Sequence, residues 1–467
     1  MPPTLLFLLA YSALLVGLGV FVGRKVKTAD SFFVAGRGLG PGLLFSTLIA
    51  ANIGAGSTVG AAGLGFRDGL AAWWWVGAAA IGSLVQAVWI GPRMRRVAAE
   101  HGLRTVGDYL ELRFGPAVRL VAGVLLWLGT VAILAGQLIA MSTLFTAVMG
   151  SPKWLGCVLG GVVAVLYFGA GGLLASAWVN VAQLVVLLAG FALSIPFALG
   201  RAGGWSGVVS ALPADRAYWS LWQNGASGWM YLALLGPAFV VSPGLLQKIF
   251  GARDDRAVRI GTGLNAAALL AFAFVPPLLG MIARALHPDL SSPQLALPTL
   301  LASDLPPAVG ALGLAALFSA EVSTADAILF MLSTSLSQDL YRRSVNPAAR
   351  DDQVVRVARY AAVAGGLLGV GMALVAQTII GTLSFFYSVL GVCLFVPLVG
   401  GLFVGRLSTR AALAAIVGGI AVMLAVRLGG GAGEAGLHGI TPAMAGLAAS
   451  ILTAGCVLVV ATPRARV

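Results

Sequence analysis

Apolar runs about 20 residues long, separated by short polar loops, recur along this chain, and nothing else in it restricts the fold as much. A helical run of that length matches the ~30 Å hydrocarbon core of a bilayer. Lipid offers the backbone no hydrogen-bonding partner, so a crossing segment must satisfy its own amides and carbonyls. Thirteen such runs can be drawn, approximately at 4–23, 41–66, 70–92, 117–149, 154–170, 175–200, 227–250, 258–284, 298–338, 354–376, 378–404, 408–428 and 440–462. The run 298–338 exceeds one crossing and is expected to start with a polar external loop around Ser303 and Asp304. Composition agrees: 59% of the 467 residues are hydrophobic and 10% charged, against roughly 25% charged in soluble domains. The expected fold is an all-α integral membrane protein of about 13 transmembrane helices, with the lipid bilayer as its solvent. Small residues let such helices approach closely, and Gly56, Gly60, Gly63 and Gly65 suit that use.

The net charge of +13 does not indicate nucleic acid, because the basic residues form no patch; they sit in short loops between the apolar runs. This is the positive-inside pattern. Of the 29 Lys and Arg, all but Arg67, Lys153, Arg201, Arg216, Arg284 and Arg427 fall in loops assigned to the inner side, beginning with Arg24, Lys25 and Lys27. No basic region precedes the first run, which argues against a cleaved signal peptide. The N-terminus is therefore expected to be periplasmic and the C-terminus cytoplasmic, in a bacterial inner (plasma) membrane. Cys157, Cys393 and Cys456 lie at unrelated spacings in apolar runs, and His101, His287 and His438 form no ligand cluster. Neither a disulfide framework nor a metal site of that type is indicated. No Walker-type phosphate loop supports ATP-driven work.

Five stretches, in order, resemble the sodium:solute symporter family. Asp30-Ser-Phe-Phe-Val-Ala-Gly-Arg37 is similar to the segment before its second span, and Thr105-Val-Gly-Asp-Tyr-Leu-Glu-Leu-Arg-Phe114 to its cytoplasmic loop motif. Tyr167-Phe-Gly-Ala-Gly-Gly-Leu173 leading to Trp178-Val-Asn-Val-Ala-Gln183 resembles its glycine hinge and following helix. Gln247-Lys-Ile-Phe-Gly-Ala-Arg-Asp254 resembles the loop after its broken helix, and Ser323-Thr324 through Asp339-Leu-Tyr341 its sodium-site helix. The resemblance implies a 5+5 inverted-repeat core with two broken helices, as in amino-acid transporters of the LeuT-like fold. It places an extra N-terminal helix and cytoplasmic loop at 1–40, the first repeat at 41–200, an external loop and the second repeat at 201–404, and two further helices at 405–467.

The residues themselves agree on one point. Inverted-repeat transporters bind near the midplane, where the first helix of each repeat is interrupted. Ala50-Ala-Asn-Ile-Gly-Ala-Gly-Ser57 in the second run and Gly236-Pro237 through Ser242-Pro243-Gly244 in the seventh are matched interruptions. Each taken alone would read as a kink or a packing site.

Sodium is a hard cation and prefers oxygen ligands. An unwound helix frees carbonyls; Ala320, Ser323 and Thr324 share one face of a facing helix. The resemblance implies that the carbonyls of Ala50, Ile53 and Ala320 and the hydroxyls of Ser323 and Thr324 bind the ion. The alternative is that both hydroxyls bond back to their own helix. Members with a second sodium site carry an aspartate where this chain has Asn180, while Asp326 stands where they have a serine. Asp326 and Asn180 are therefore expected to form a second cation or proton site, against the alternative of a buried acid that serves helix packing. Glu321 is a second acid on the same helix, at a different angle.

By analogy with sugar-carrying members, the solute pocket falls at Asn52, Ser57, Trp74, Gln137, Ala238, Phe239 and Ser384, with Trp73, Trp75, Phe385, Phe386 and Tyr387 nearby. A glutamate of those members aligns with Trp74, and a tyrosine-tryptophan pair with Ala238-Phe239, so a sugar is disfavoured. Asn, Gln and Ser suit a small polar solute, and a carboxylate suits a half-helix N-terminus. The Trp73–Trp75 run also fits an interfacial belt. The expected activity is sodium-coupled symport of a small organic solute by alternating access, without covalent chemistry and by a single chain acting as a monomer; the partners are the solute, Na+ and lipid. Proton-coupled symport on the same fold is the alternative. A membrane sensor would need a signalling domain that the few residues after the last run do not supply, and an enzyme would need more clustered acids and bases than Glu321 and Asp326.

Overall fold

The computed structural model describes residues 3–23, 29–168, 172–224, 227–429 and 440–461. The basic cluster Arg24, Lys25 and Lys27, the hinge residues Gly169 to Gly171, His438, and Arg464 and Arg466 lie outside the described residues.

Among the described residues the structure is almost entirely helical, with one two-stranded ribbon, Gln223–Asn224 against Ser227–Gly228. We label the helices α1 (Pro3–Gly23), α2 (Pro41–Asn52), α3 (Ala61–Asp68), α4 (Trp73–Val85), α5 (Val106–Phe114), α6 (Pro116–Met149), α7 (Lys153–Phe168), α8 (Gly172–Arg201), α9 (Tyr231–Val240), α10 (Pro243–Phe250), α11 (Asp255–Phe272), α12 (Val275–Leu286), α13 (Pro307–Thr334), α14 (Asp351–Val375), α15 (Ile379–Phe395), α16 (Thr409–Gly429) and α17 (Pro442–Ala461). Among the described residues, ten helical stretches are long and apolar enough to cross a membrane, and three shorter apolar ones accompany them. Each of the thirteen runs read from the sequence contains helix, and this set is consistent with thirteen crossings. The long run 298–338 breaks at Leu305 and Pro306, ahead of α13; Ser303 and Asp304, expected in a polar loop, instead end a π-helical turn over Leu300–Asp304, where Asp304 bonds His287 at 2.7 Å.

Burial orders the bundle. The stretch Pro307–Arg343 is the most enclosed, 89% of its most apolar window being buried, whereas α17 is 22% buried and α16 33%. Helix α13 therefore forms the axis, packed by α8, α6, α14 and α7. The exposed apolar side chains of α8 include Val181, Val185 and Leu188, a spacing that puts them on one helical face. Among the described residues that stripe has no protein partner, and it suits lipid.

Interior contacts are made by small residues. A Cβ at Gly280 of α12 would stand 1.9 Å from the carbonyl oxygen of Ala62, and one at Gly65 of α3 2.3 Å from that of Pro277. The two backbones interlock, and no side chain can flex aside to relieve the clash. Overpacking of this kind costs about 1–3 kcal/mol or more. Gly280→Ala is therefore expected to lower the melting temperature of the purified protein, while Gly371→Ala, whose Cβ would meet nothing within 4 Å, leaves it unchanged; equal melting temperatures for the two would contradict the interlock.

Candidate ion and solute site

The chain leaves helical geometry at Ile53 (φ −97, ψ 97) and resumes, one turn wound as a π-helix over Gly56–Gly60, in α3. Each displaced backbone group finds a replacement partner. The Gly54 amide donates to Ser57 Oγ at 2.9 Å and the Ala55 amide to Gln137 Oε1 at 2.8 Å. Gly54 is required by closeness: a Cβ there would lie 2.5 Å from Thr324 Oγ1 and 2.8 Å from Gln137 Oε1. The second interruption falls at Val241 and Ser242, between α9 and α10. Here Gln86 Nε2 reaches the carbonyls of Phe239 and Val240, both at 3.3 Å. One buried glutamine thus serves each break.

The five oxygens expected to form the ion site converge. Ser323 Oγ lies 3.0 Å from the Ala50 carbonyl oxygen and 3.2 Å from that of Ala320; Thr324 Oγ1 lies 2.9 Å from Ala50 O and 3.0 Å from Ile53 O. All five residues are buried. The reading in which these hydroxyls bond only to their own helix fails, because Thr324 bonds across to the break and Ser323 does both. Three carbonyls and two hydroxyls, without sulfur or nitrogen, form a donor set that fits a hard cation.

Asp326 accepts from Ser176 Oγ at 2.6 Å. Asn180 stands one turn further along α8, its Nδ2 at 3.5 Å from the same Ser176 hydroxyl and 3.4 Å from Thr47 Oγ1. Asp326 and Asn180 are thus neighbours bridged by a serine. The charged group whose field reaches Asp326 is Lys248. Assigned from the sequence to an inner loop, Lys248 is instead 3% exposed at the end of α10.

A cavity lies beside the first break. Asn52, Ser57, Gln137, Phe239 and Tyr387 line it together with Thr324, Trp75, Leu235 and Leu383. Trp75 packs edge-on against Tyr231 and Tyr387, and Tyr387 against Phe239, giving an aromatic wall. Two expectations need correction. Trp74 does not line the cavity: its indole donates to the Leu221 carbonyl at 2.9 Å and its ring packs on Trp222 and Trp73. Trp75, one residue on and so rotated by about 100°, takes that place. Ser384 is buried with its hydroxyl unpartnered beside Leu383, outside the lining. Asn265, which the sequence did not single out, accepts from Asn52 Nδ2 at 3.0 Å and so orients that amide.

At the foot of the bundle, two stretches that the sequence presents separately meet. Arg119 at the start of α6 pairs with Asp339 at 2.7 Å and with Glu111 of α5. Thr105, whose hydroxyl caps α5, also donates to Asp339 at 2.7 Å.

Comparisons with known proteins accord with this geometry. The chain matches the sodium:solute symporter family over residues 32–419. It is 29% identical to the sodium/pantothenate symporter of Escherichia coli K12, over 88% of each chain, and 24% identical to the high-affinity proline transporter PutP of Bacillus subtilis 168, over 87% of this chain and 88% of that one. Among solved structures, a Na+-coupled sialic acid symporter in a substrate-bound outward-open state aligns with a TM-score of 0.82 at 20% identity, covering 97% of both chains; this likeness concerns the fold. The fold is that of multi-pass, sodium-coupled secondary transporters with a LeuT-like core. The chain belongs to the sodium:solute symporter family.

The stitching of the first break is open to measurement. Gln137→Leu removes the acceptor of the buried Ala55 amide, and a buried unpartnered amide costs about 1–3 kcal/mol. Thermal unfolding should move down accordingly, and Gln137→Glu, which keeps an acceptor oxygen, should recover most of the loss. Equal stability of Gln137→Leu and the parent would contradict this role.

Proposed function

We propose that this protein carries a small organic solute, with a carboxylate or amino acid favoured over a sugar, together with sodium, by alternating access across the bacterial inner membrane, and that it performs no covalent chemistry. The observation that carries this reading is the convergence of Ala50, Ile53 and Ala320 carbonyls with the Ser323 and Thr324 hydroxyls where α2 unwinds. Sodium binds there as co-transported cargo and ties α2 to α13. The pantothenate and proline carriers named above support the solute class, as does a pocket that combines amides, hydroxyls and an aromatic wall.

In this reading Asn52, Ser57, Gln137, Phe239 and Tyr387 contact the solute, with Trp75 in the place expected of Trp74 and Ser384 at the margin. The first repeat runs over 41–200 and an external loop with the second repeat over 201–404, flanked by the N-terminal helix and cytoplasmic loop 1–40 and the C-terminal pair 405–467. Asp326, with Asn180 across Ser176, is a second cation or proton site. One chain suffices for transport, since ion and solute positions are enclosed within a single bundle.

Two measurements test this. Sodium, compared with potassium, should raise the melting temperature of the detergent-purified protein, and Ser323→Ala combined with Thr324→Ala should remove that response while leaving a folded, monodisperse protein. A double variant that responds to sodium like the parent would refute the site. For orientation, reporters fused after Lys153 and after Arg466 should score as periplasmic and cytoplasmic respectively; the reverse pattern would overturn the thirteen-span topology.

A further inference from the structure

Where the third apolar run ends, two aromatic rings and an arginine form a stack on the outside of the bundle. Trp89 lies on the π-helical turn Gln86–Ile90 that extends α4, and Arg93 on the helix Gly91–Glu100 that follows. Phe403 closes the short turn Gly401–Phe403, which continues α15 through the π-helical turn Val396–Gly400. The Trp89 and Phe403 rings stack with centroids 4.5 Å apart, and the Arg93 guanidinium carbon stands 4.9 Å over the Phe403 ring. All three residues are exposed.

Other arginines gather at the same corner. Arg113 reaches the Gly401 carbonyl through Nε at 3.2 Å, and the Val404 and Gly405 carbonyls through Nη2 at 3.2 and 2.9 Å. It thereby caps the end of the α15 continuation, where free carbonyls carry partial negative charge. Arg406 follows directly in the chain. Arg410 opens α16, whose first residue, Thr409, bonds the carbonyl of Phe114, the neighbour of Arg113, at 2.9 Å. Arg406 and Arg410 are both exposed.

Charge is left unbalanced here. Other arginines of the inner-assigned loops hold carboxylates: Arg95 and Arg96 share Asp255, Arg119 takes Glu111 and Asp339, and Arg342 takes Asp351. Among the described residues, no ion pair joins Arg93, Arg113, Arg406 or Arg410 to a carboxylate. Arg93 instead donates to the Trp89 carbonyl at 3.3 Å.

Beside the stack the surface is apolar. Leu84 and Val88 precede Trp89 and are exposed, as is Val404 next to Phe403. Residues four apart lie along one helical face, so Leu84 and Val88 carry the strip from the stack back toward the middle of the membrane. A ligand that matches both parts has an anionic head and an apolar tail. Guanidinium groups suit phosphate oxygens in particular. A head that also carries an ammonium would bring a cation to arginines that no carboxylate offsets, so the match is a phospholipid with a net negative head.

We propose that Arg93, Arg406 and Arg410, around the Trp89–Phe403 stack, bind the head of an anionic phospholipid whose chain lies along Leu84 and Val88. Arg113 shapes the site by holding the turn that presents Phe403. The stack joins the end of the third run to the end of the eleventh, so the lipid fastens the two and stabilises the folded protein, as any ligand of the native state does. This site rests on the membrane-spanning fold and not on the sodium or solute reading.

Thermal unfolding of the purified full-length protein in lipid nanodiscs tests the site. Phosphatidylglycerol mixed into phosphatidylcholine should raise the melting temperature above that in phosphatidylcholine alone. Arg93→Gln combined with Arg406→Gln should lose most of that rise. Arg256→Gln combined with Arg259→Gln, which removes equal charge from exposed positions of α11, should keep it. Native mass spectrometry supplies a second reading: phosphatidylglycerol retained through purification should fall several-fold in Arg93→Gln alone, which holds the claim to account should the double variant fail to fold. Inorganic phosphate added to the phosphatidylcholine discs should not reproduce the rise. Equal losses in the two double variants would mean attraction to the basic face at large, and a rise reproduced by inorganic phosphate would mean a free anion. Either result, or unchanged retention in Arg93→Gln, or a parent indifferent to phosphatidylglycerol, overturns the proposal.

Discussion

The structure is organised around three residues, Ile53 to Ala55, where a helix gives up its backbone hydrogen bonds in a region without bulk water. In hydrocarbon such a lapse is tolerated only if other protein groups or a cavity accept the freed polar atoms. Here the freed amides go to Ser57 and Gln137, and the freed carbonyls to Ser323 and Thr324. The need to meet those demands fixes the rest. It explains why α13 must lie at the axis, why Gly54 has no side chain, and why buried glutamines occur in otherwise apolar helices. The oxygen-rich spot that results is a by-product of the break, which is why ion binding and helix interruption coincide.

Much of this was legible in the sequence, and the reasons differ by feature. Spans are readable because hydrocarbon thickness imposes a length, and the two breaks because glycine with polar residues in one run, and glycine with proline in the other, interrupt the first helix of each implied repeat. Ser323 and Thr324 are reached only through the family resemblance, because adjacent hydroxyls in a membrane helix ordinarily bond back to their own helix. The phase of a uniform run is not readable: Trp73-Trp74-Trp75 contains one pocket residue, but three identical side chains carry no mark of which one turns inward. Gln86 escaped notice for a related cause, since one glutamine in an apolar helix does not announce the carbonyls it serves.

Partnerships across long separations were the least accessible. Nothing near Asp326 in the sequence points to Ser176 or Lys248. Lys248 was assigned to a loop because a lysine at the end of an apolar run ordinarily reaches water; the short half-helix α10 instead leaves it beneath the bundle. The motifs around Thr105 and Asp339 are each visible, but their meeting depends on Arg119, a residue that charge counting treats as one more inner cation.

The interlock of α3 with α12 has a mechanical consequence. Both pieces of the broken second span are keyed to the eighth: α3 by backbone-to-backbone contact at Gly65 and Gly280, and α2 by Gly261, where a Cβ would meet the Pro41 carbonyl at 3.0 Å. Against α13, by contrast, the broken span is held at Ser323, Thr324 and Glu321 by hydroxyls and a carboxyl, bonds that can be exchanged one for another. A material so built shears along its weaker seam. The seam is also where the candidate ion ligands lie, so the groups that would sense the cargo are the fasteners of the weaker joint.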